Sequence, residues 1–258
     1  MFLTRTPRLR FILLPFVDLL RLFTGATLLA FAAFTDWKWR RAPNVLWLVM
    51  AGIALALLAV QAALDWPDFV SKWPYLVGAP VFAAVIYGLW WVGLLAGGAD
   101  AKALMAIALL LPFPLSFTEA LPVWQSVLPG SFAVLGNGLL AFLLVPLGLL
   151  AWNLAHGDLR FPHLFVGVKR RAAEVHRGHQ WPMEIVDATG ARRTRLFASR
   201  MSSEEIAETF ERVQALGDAR VWVSPKIPFM LPHLAGFLLA FLAGDLMLGA
   251  MERILPTR

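Results

Sequence analysis

Asp36 and Asp100 each stand at the end of an apolar run, among residues that suit a reactive carboxyl. Asp100 belongs to Gly97-Gly98-Ala99-Asp100-Ala101-Lys102, between the apolar runs 77–96 and 103–111. An ionisable side chain at membrane depth is costly to keep, so it marks a functional site by default. Glycines beside it carry no side chain and let another backbone come close. Asp36 opens Asp36-Trp37-Lys38-Trp39-Arg40-Arg41-Ala42-Pro43-Asn44. Two carboxyl groups at one depth suit peptide hydrolysis, one taking a proton from water and the other donating to the scissile carbonyl. Such a pair cannot ionise twice cheaply and holds one proton between its members. Asp36 ends a helix, where the backbone dipole disfavours an anion, and Asp100 begins one beside Lys102. These settings predict that Asp100 ionises first and acts as base while Asp36 keeps the proton, with Lys38, Arg40 and Arg41 opposing that order.

The elements that must position this pair are membrane helices. The 258 residues are 59% apolar and 16% charged, with a mean hydropathy of +0.67. Soluble chains are about 45–50% apolar and about 25% charged. The apolar residues gather in runs of spanning length, which predicts an all-α polytopic membrane protein of about six spans. The net charge of +6 does not point to nucleic acid, because basic loops beside spans report cytoplasmic location. No cysteine is present, which excludes disulfides, thiolate metal sites and a cysteine nucleophile.

Arg5, Arg8 and Arg10 before the run 11–17 resemble a signal peptide, but Pro15, Asp18 and Arg21 break the pattern, and an interfacial lead-in is expected. The spans are expected at 19–35, 45–64, 75–96, 101–111, 131–154 and 228–251. Asn44 is expected to cap the second after Pro43 ends the preceding loop. The fourth is short, with Pro112 and Pro114 letting it continue bent. Residues 156–227 form the one soluble piece, expected as a small cytoplasmic α+β insert. It comprises a hairpin of 183–187 with 192–197, a helix with a Ser202/Glu205 capping box ending near Leu216 at Gly217, and a strand at 220–223. The chain thus divides into a membrane domain 1–155 carrying the motifs, the insert 156–227, and a last span with its tail, 228–258. Six spans with the basic loops inside place both termini outside.

Asp36 with Arg41-Ala42-Pro43-Asn44, and the Gly97–Lys102 stretch about sixty residues later, resemble the two signatures of the type IV prepilin peptidases. These are membrane aspartic proteases with a G-x-G-D motif. The insert before a last span that opens Pro225-Lys226-Ile227-Pro228 is more similar to the archaeal preflagellin and prepilin peptidase branch. The resemblance implies an endopeptidase of the cell membrane that removes the short basic leader of archaellin or pilin precursors at the cytoplasmic face. It carries the catalytic aspartates over to Asp36 and Asp100, and the motif glycines to Gly97 and, with an added methyl, to Ala99. Gly98, Lys102, Pro43, Asn44 and Trp37 are the supporting candidates. The zinc module of bacterial members is absent with the cysteines, and no cofactor or metal is implied.

Two other readings stay open on the residues alone: an ion-coupled transporter or channel relaying protons through Asp36 and Asp100, and an inactive relative that binds precursors. Asp18, Asp65, Asp68 and Asp158 read as solvated boundary residues. Asp245 reads as structural, at the interface or paired with Arg21. His176 and His179 have ligand-like spacing without an evident third ligand. Trp37 and Trp39 lie close enough in sequence to Asp36 to line a cleft. The acidic residues Glu204, Glu205 and Glu208 are candidates for meeting a basic leader.

Overall fold

The computed structural model describes residues 7–95, 97–116, 121–187, 190–194 and 203–254, with the side chains of 7–14 and 203 outside the description. The chain divides into two compact units, Met1–Phe142 with Pro228–Arg258, and Leu143–Ile227.

The first unit is helical. Its helices are α1 (Pro7–Trp39), α2 (Val45–Leu64), α3 (Trp66–Ser71), α4 (Trp73–Trp91) and α5 (Gly98–Leu110), then the beginning of α6 (Gly130–His156). Four helices are long and apolar enough to cross a membrane: Pro15–Trp39 of α1, α2, α4 and α6. Their outward residues include Leu48, Leu55, Val81, Val85 and Leu144, all exposed. Apolar side chains on the outside of apolar helices fit a hydrocarbon surrounding.

Several helix ends differ from the sequence expectation. Pro15 lies inside α1 without ending it. A proline at the ninth position forfeits one backbone bond, to the carbonyl four residues before it, and the 33-residue helix continues past that loss. At its other end α1 runs four residues past Thr35, so Asp36 sits in its last turn rather than in a loop. The α4 helix stops at Trp91, well short of Ala96: Gly93 takes φ 79°, and the Leu94 and Leu95 N–H groups turn back to the Leu89 carbonyl. The turn between α2 and α4 contains the helix α3, capped by Asp65, whose carboxylate accepts the Asp68 N–H at 3.3 Å.

The fourth expected span is resolved differently. Helix α5 has 13 residues, about 20 Å at 1.5 Å per residue, against about 30 Å of hydrocarbon. It ends at Leu110, and 111–116 are not helical despite the expectation of a bent continuation. α5 instead lies inside the unit, packed on α2 and α4, with Ala101, Ala103, Leu104, Ala106, Ile107, Ala108 and Leu110 buried. Helices apolar on every side belong in such interiors.

The last expected span is two helices, α9 (Met230–Leu242) and α10 (Leu246–Ile254). The break is built rather than frayed. Gly244 takes φ 86°, and a Cβ there would overlap the Trp124 carbonyl oxygen. Asn137 donates to the Gly244 carbonyl at 2.7 Å and accepts the Leu246 N–H at 3.1 Å. Asp245 accepts the Leu248 N–H at 3.0 Å, closing the first turn of α10. Asp245 is therefore a structural cap, and Arg21 pairs elsewhere, with Asp18. Upstream, α9 packs against α1, where a Cβ on Gly25 would overlap the Phe237 ring. The α9–α6 contact is equally tight, since a Cβ on Gly236 would fall 2.5 Å from the Val134 carbonyl oxygen and the Gly138 nitrogen. Small residues let these helices approach backbone to backbone.

The second unit holds the rest of α6, then α7 (His163–Val166), β1 (Val168–Arg171), β2 (Gln180–Pro182), β3 (Glu184–Val186), β4 (Arg192–Thr194), α8 (Ser203–Gln214) and β5 (Arg220–Pro225). β5 is central between β1 and β2, antiparallel to both, and β3 pairs with β4. Phe210 and Val213 of α8 pack on Ala172, Val175, Val221 and Val223. The expected hairpin, helix and last strand are present. Ala188, Thr189, residues 195–197 and Ser202 lie outside the described residues, the proposed capping box among them. The strands β1 and β2, three to four residues each, carry no long alternation in the sequence.

Candidate active site

Asp36 and Asp100 come together in the first unit, at the last turn of α1 and the first turn of α5. The two carboxyl groups are close enough for the charge of Asp36 to act on Asp100. No cation pairs with either one among the described residues.

The motif glycines act at short range. Gly97 is extended, φ −100° and ψ 112°, at the residue preceding α5. A Cβ there would overlap the Asp100 carboxylate, which folds back over this residue. Gly97 thus makes room for the acid's own side chain rather than for a second backbone. At Gly98 a Cβ would sit 3.3 Å from Nε1 of Trp90. Ala99, where the resemblance places a glycine, packs its methyl against the main apolar core.

The supporting residues are arranged differently from the sequence expectation. Lys102 does not reach Asp100; its Nζ donates to Oδ1 of Asn44 at 2.9 Å. Asn44 consequently makes no side-chain cap on α2, and the bond ties the loop after α1 to the start of α5. Pro43 contributes its carbonyl, which accepts the Leu46 N–H at 3.2 Å. Trp37 is 60% exposed and Trp39 is also exposed; Trp39 meets Phe34 edge-on at 6.0 Å and lies under Lys38 Nζ at 4.8 Å. Both tryptophans lie at the surface, as interfacial aromatics do. Arg40 takes φ 55° just after α1, a conformation usually left to glycine, and its N–H donates to the Asp36 carbonyl at 2.9 Å.

Sequence reasoning missed the contribution of α9. The Met230 N–H, at the start of that helix, donates to Oδ2 of Asp36 at 3.3 Å. A free N–H at a helix N-terminus favours a carboxylate. His233, one turn further on, lies within electrostatic reach of Asp36. Its Nδ1 is 2.8 Å from the Phe229 carbonyl; a carbonyl only accepts, so Nδ1 carries the hydrogen and Nε2 of the neutral ring is an acceptor. Pro228 and Pro232 around the start of the run, and a histidine inside it, were the available signals.

The expectation that its setting favours the Asp100 anion is not met. Asp100 lies outside the four helices of spanning length, and burial, followed by the negative charge of Asp36, pushes its carboxyl up to about 7. The α5 dipole is outweighed by desolvation, and the Lys102 ammonium is engaged on Asn44. With its carboxyl near 7, Asp100 is partly protonated at neutral pH, whereas Asp36 accepts a backbone N–H.

Elsewhere, His176 and His179 are exposed, and among the described residues no cluster of three or more His, Cys, Asp or Glu is placed to hold a metal ion. Two family comparisons match along the chain. Residues 23–154 match the type IV leader peptidase family, a stretch that contains both aspartates.

This chain belongs to that family.

Residues 159–246 match the archaeal peptidase A24 C-terminus, type II, so the second match takes in most of the α+β unit and the whole of α9. No protein of curated function matches this peptidase-family chain. Family membership and the four apolar helices together make it a multi-pass membrane protein of a peptidase family.

Proposed function

We propose that this chain is an aspartic endopeptidase in which Asp36 and Asp100 are the catalytic pair, cleaving the basic leader from archaellin or type IV pilin-like precursors. The carrying observation is a pair of carboxyl groups without a cation among the described residues, one with a helix N–H donor and the other pushed up to about 7. In the working state Asp36 is the anion and Asp100 the acid. Asp36 takes a proton from water as the water oxygen bonds to the scissile carbonyl carbon, and Asp100 gives its proton to the carbonyl oxygen. The tetrahedral intermediate then collapses. The C–N bond breaks, the proton held on Asp36 passes to the leaving amine, and a hydroxyl proton returns to Asp100. No metal or other cofactor enters these steps.

The same reading places the active site at the cytoplasmic face of the cell membrane, as the basic residues around 38–41 and in 160–226 favour. It counts residues 101–111 and the α9–α10 pair with the four long helices to complete six membrane segments, with 156–227 as a cytoplasmic insert between the last two. Gly97, Gly98 and the Lys102–Asn44 bond hold Asp100 and the α1–α2 loop in place. The leader-bearing precursor is the partner, alongside the bilayer.

The test is incubation of a leader-bearing precursor with membranes carrying wild type, Asp36→Asn or Asp100→Asn. Both variants are expected to lose at least about a hundredfold in cleavage rate, in the range of general acid–base contributions. Shortening of the precursor by both variants at the wild-type rate would remove the pair from the mechanism.

A further inference from the structure

The α+β part of the second unit hides its large apolar side chains, with two exceptions among the described residues beyond α6. Phe161 is 77% exposed and Leu159 64% exposed. Scattered exposed apolar residues are ordinary on a protein surface. These two are not scattered: they lie in the first five residues after α6, a helix of spanning length and composition. That helix ends in a defined way. Gly157 takes φ 71°, its N–H donates to the Leu154 carbonyl at 3.3 Å, and the Asp158 N–H donates to the Asn153 carbonyl at 2.9 Å. This closure turns the chain aside within one residue of the span.

The chain is then tied back to the helix. Asn153, buried in the last turns of α6, donates to the Leu164 carbonyl at 2.9 Å and to the Gly167 carbonyl at 2.7 Å. Strand β1 starts at the next residue, so its charged residues are held beside the end of the span. Arg170 lies over the ring of Trp152, an exposed residue of α6, at 5.9 Å. Tryptophan is the residue type that settles at the headgroup level.

Charge sorts the residues of this patch. Asp158, its buried carboxylate, is already engaged by Lys169 at 2.9 Å and Arg220 at 3.0 Å. Arg160 bonds the Thr194 hydroxyl at 3.0 Å. Arg160, Arg170 and Arg171 are exposed, and none has a carboxylate partner among the described residues. Two bare apolar side chains and three guanidinium groups without a carboxylate partner among the described residues, all in the stretch 159–171 that follows a membrane helix, match the two layers of a phospholipid surface.

We infer that residues 157–171 form a docking surface for anionic phospholipid headgroups, with Leu159 and Phe161 seated between lipids and Arg160, Arg170 and Arg171 on their phosphates. The occupant is the anionic leaflet of the protein's own membrane, since the span delivers the patch to that leaflet's surface. Each arginine near such a surface contributes roughly fivefold to binding, and salt screens it.

The absence of cysteine makes the test clean. Full-length Leu159→Cys protein, labelled with an environment-sensitive fluorophore, is reconstituted into phosphatidylcholine vesicles with and without phosphatidylglycerol. The expected result is a blue-shifted emission with phosphatidylglycerol that high salt reverses. The triple change Arg160→Gln, Arg170→Gln, Arg171→Gln abolishes the shift, and the corresponding triple change to lysine restores it. Emission that ignores lipid charge overturns the proposal. So does emission that instead follows the protein-to-lipid ratio, which would identify a second copy of the chain as the occupant. A glutamine variant that keeps the full shift overturns it as well.

Discussion

Helix α1 carries an ionisable cluster towards each end, and the two are built on opposite rules. Towards its N-terminal end, Arg21 donates to Asp18 at 2.8 Å and to Gln61 of α2 at 2.7 Å, with its guanidinium 5.7 Å from the Phe113 ring. Charge there is matched by charge and each carboxylate or amide oxygen it touches is a partner. Towards its C-terminal end, Asp36 faces Asp100 with like charge and, among the described residues, a backbone N–H for support. The buried Arg21 guanidinium ties Asp18 of its own helix to Gln61 of α2, and its loss leaves an uncompensated charge. An unmatched pair costs stability and persists where chemistry needs a proton held near neutrality. The contrast separates a clamp from the proposed active site within one helix, although both are aspartates at span boundaries.

The comparison can be broken at its clamp first. Arg21→Met leaves the Asp18 carboxylate and the Gln61 amide oxygen without their donor, and is expected to cost about 2 kcal/mol, the scale for stranding a buried or partly buried acceptor. Thermal unfolding in detergent would register it, and Asp36→Asn should show no comparable loss. Gly97→Ala tests the other end. The added methyl overlaps the Asp100 carboxylate, so cleavage is expected to fall by tens of fold or more while the α+β unit keeps its fold by circular dichroism.

The pH dependence sharpens the comparison further. Asp100 goes from an ordinary 3.8 to about 7 on folding, so the folded chain binds more protons across that interval. The sign follows: stability falls as pH rises from about 4 through about 7. Asp100→Asn removes that loss and should melt higher than wild type at pH 8, with a smaller gap at pH 5. Cleavage by the wild type should decline above about pH 7, as Asp100 gives up the proton that it donates. Lys102→Met is the smallest effect. Because Lys102 bonds Asn44 and not Asp100, the variant should lose only a few fold in rate and leave the basic limb of the pH–rate profile where it was. A displaced limb would return Lys102 to the acid's side.

Much of the arrangement was legible in advance for a physical reason. Apolar runs of spanning length have one stable outcome in a bilayer, and α2 and α6 fall close to their expected bounds. Residues 97–102 also announced a helix start with an acid in its first turn, and α5 begins there. The failures cluster where tertiary contacts override local signals. A run of nine to eleven apolar residues reads as a short span, yet α5 is an interior helix because α2 and α4 cover it. The run after Pro228 reads as one span, yet Asn137, 107 residues away, and the Trp124 carbonyl split it at Gly244.

By itself, then, the sequence determined the membrane class, the helices of spanning length, and the two acids at helix ends with a glycine beside one of them. Those are properties of composition and short spacing, which act within a turn or a run. Only the tertiary structure decided that burial raises the Asp100 carboxyl and that Asp36 meets a donor 194 residues away along the chain, the Met230 N–H. It likewise decided that Lys102 serves Asn44, since a flexible ammonium goes to whichever acceptor packing brings within reach.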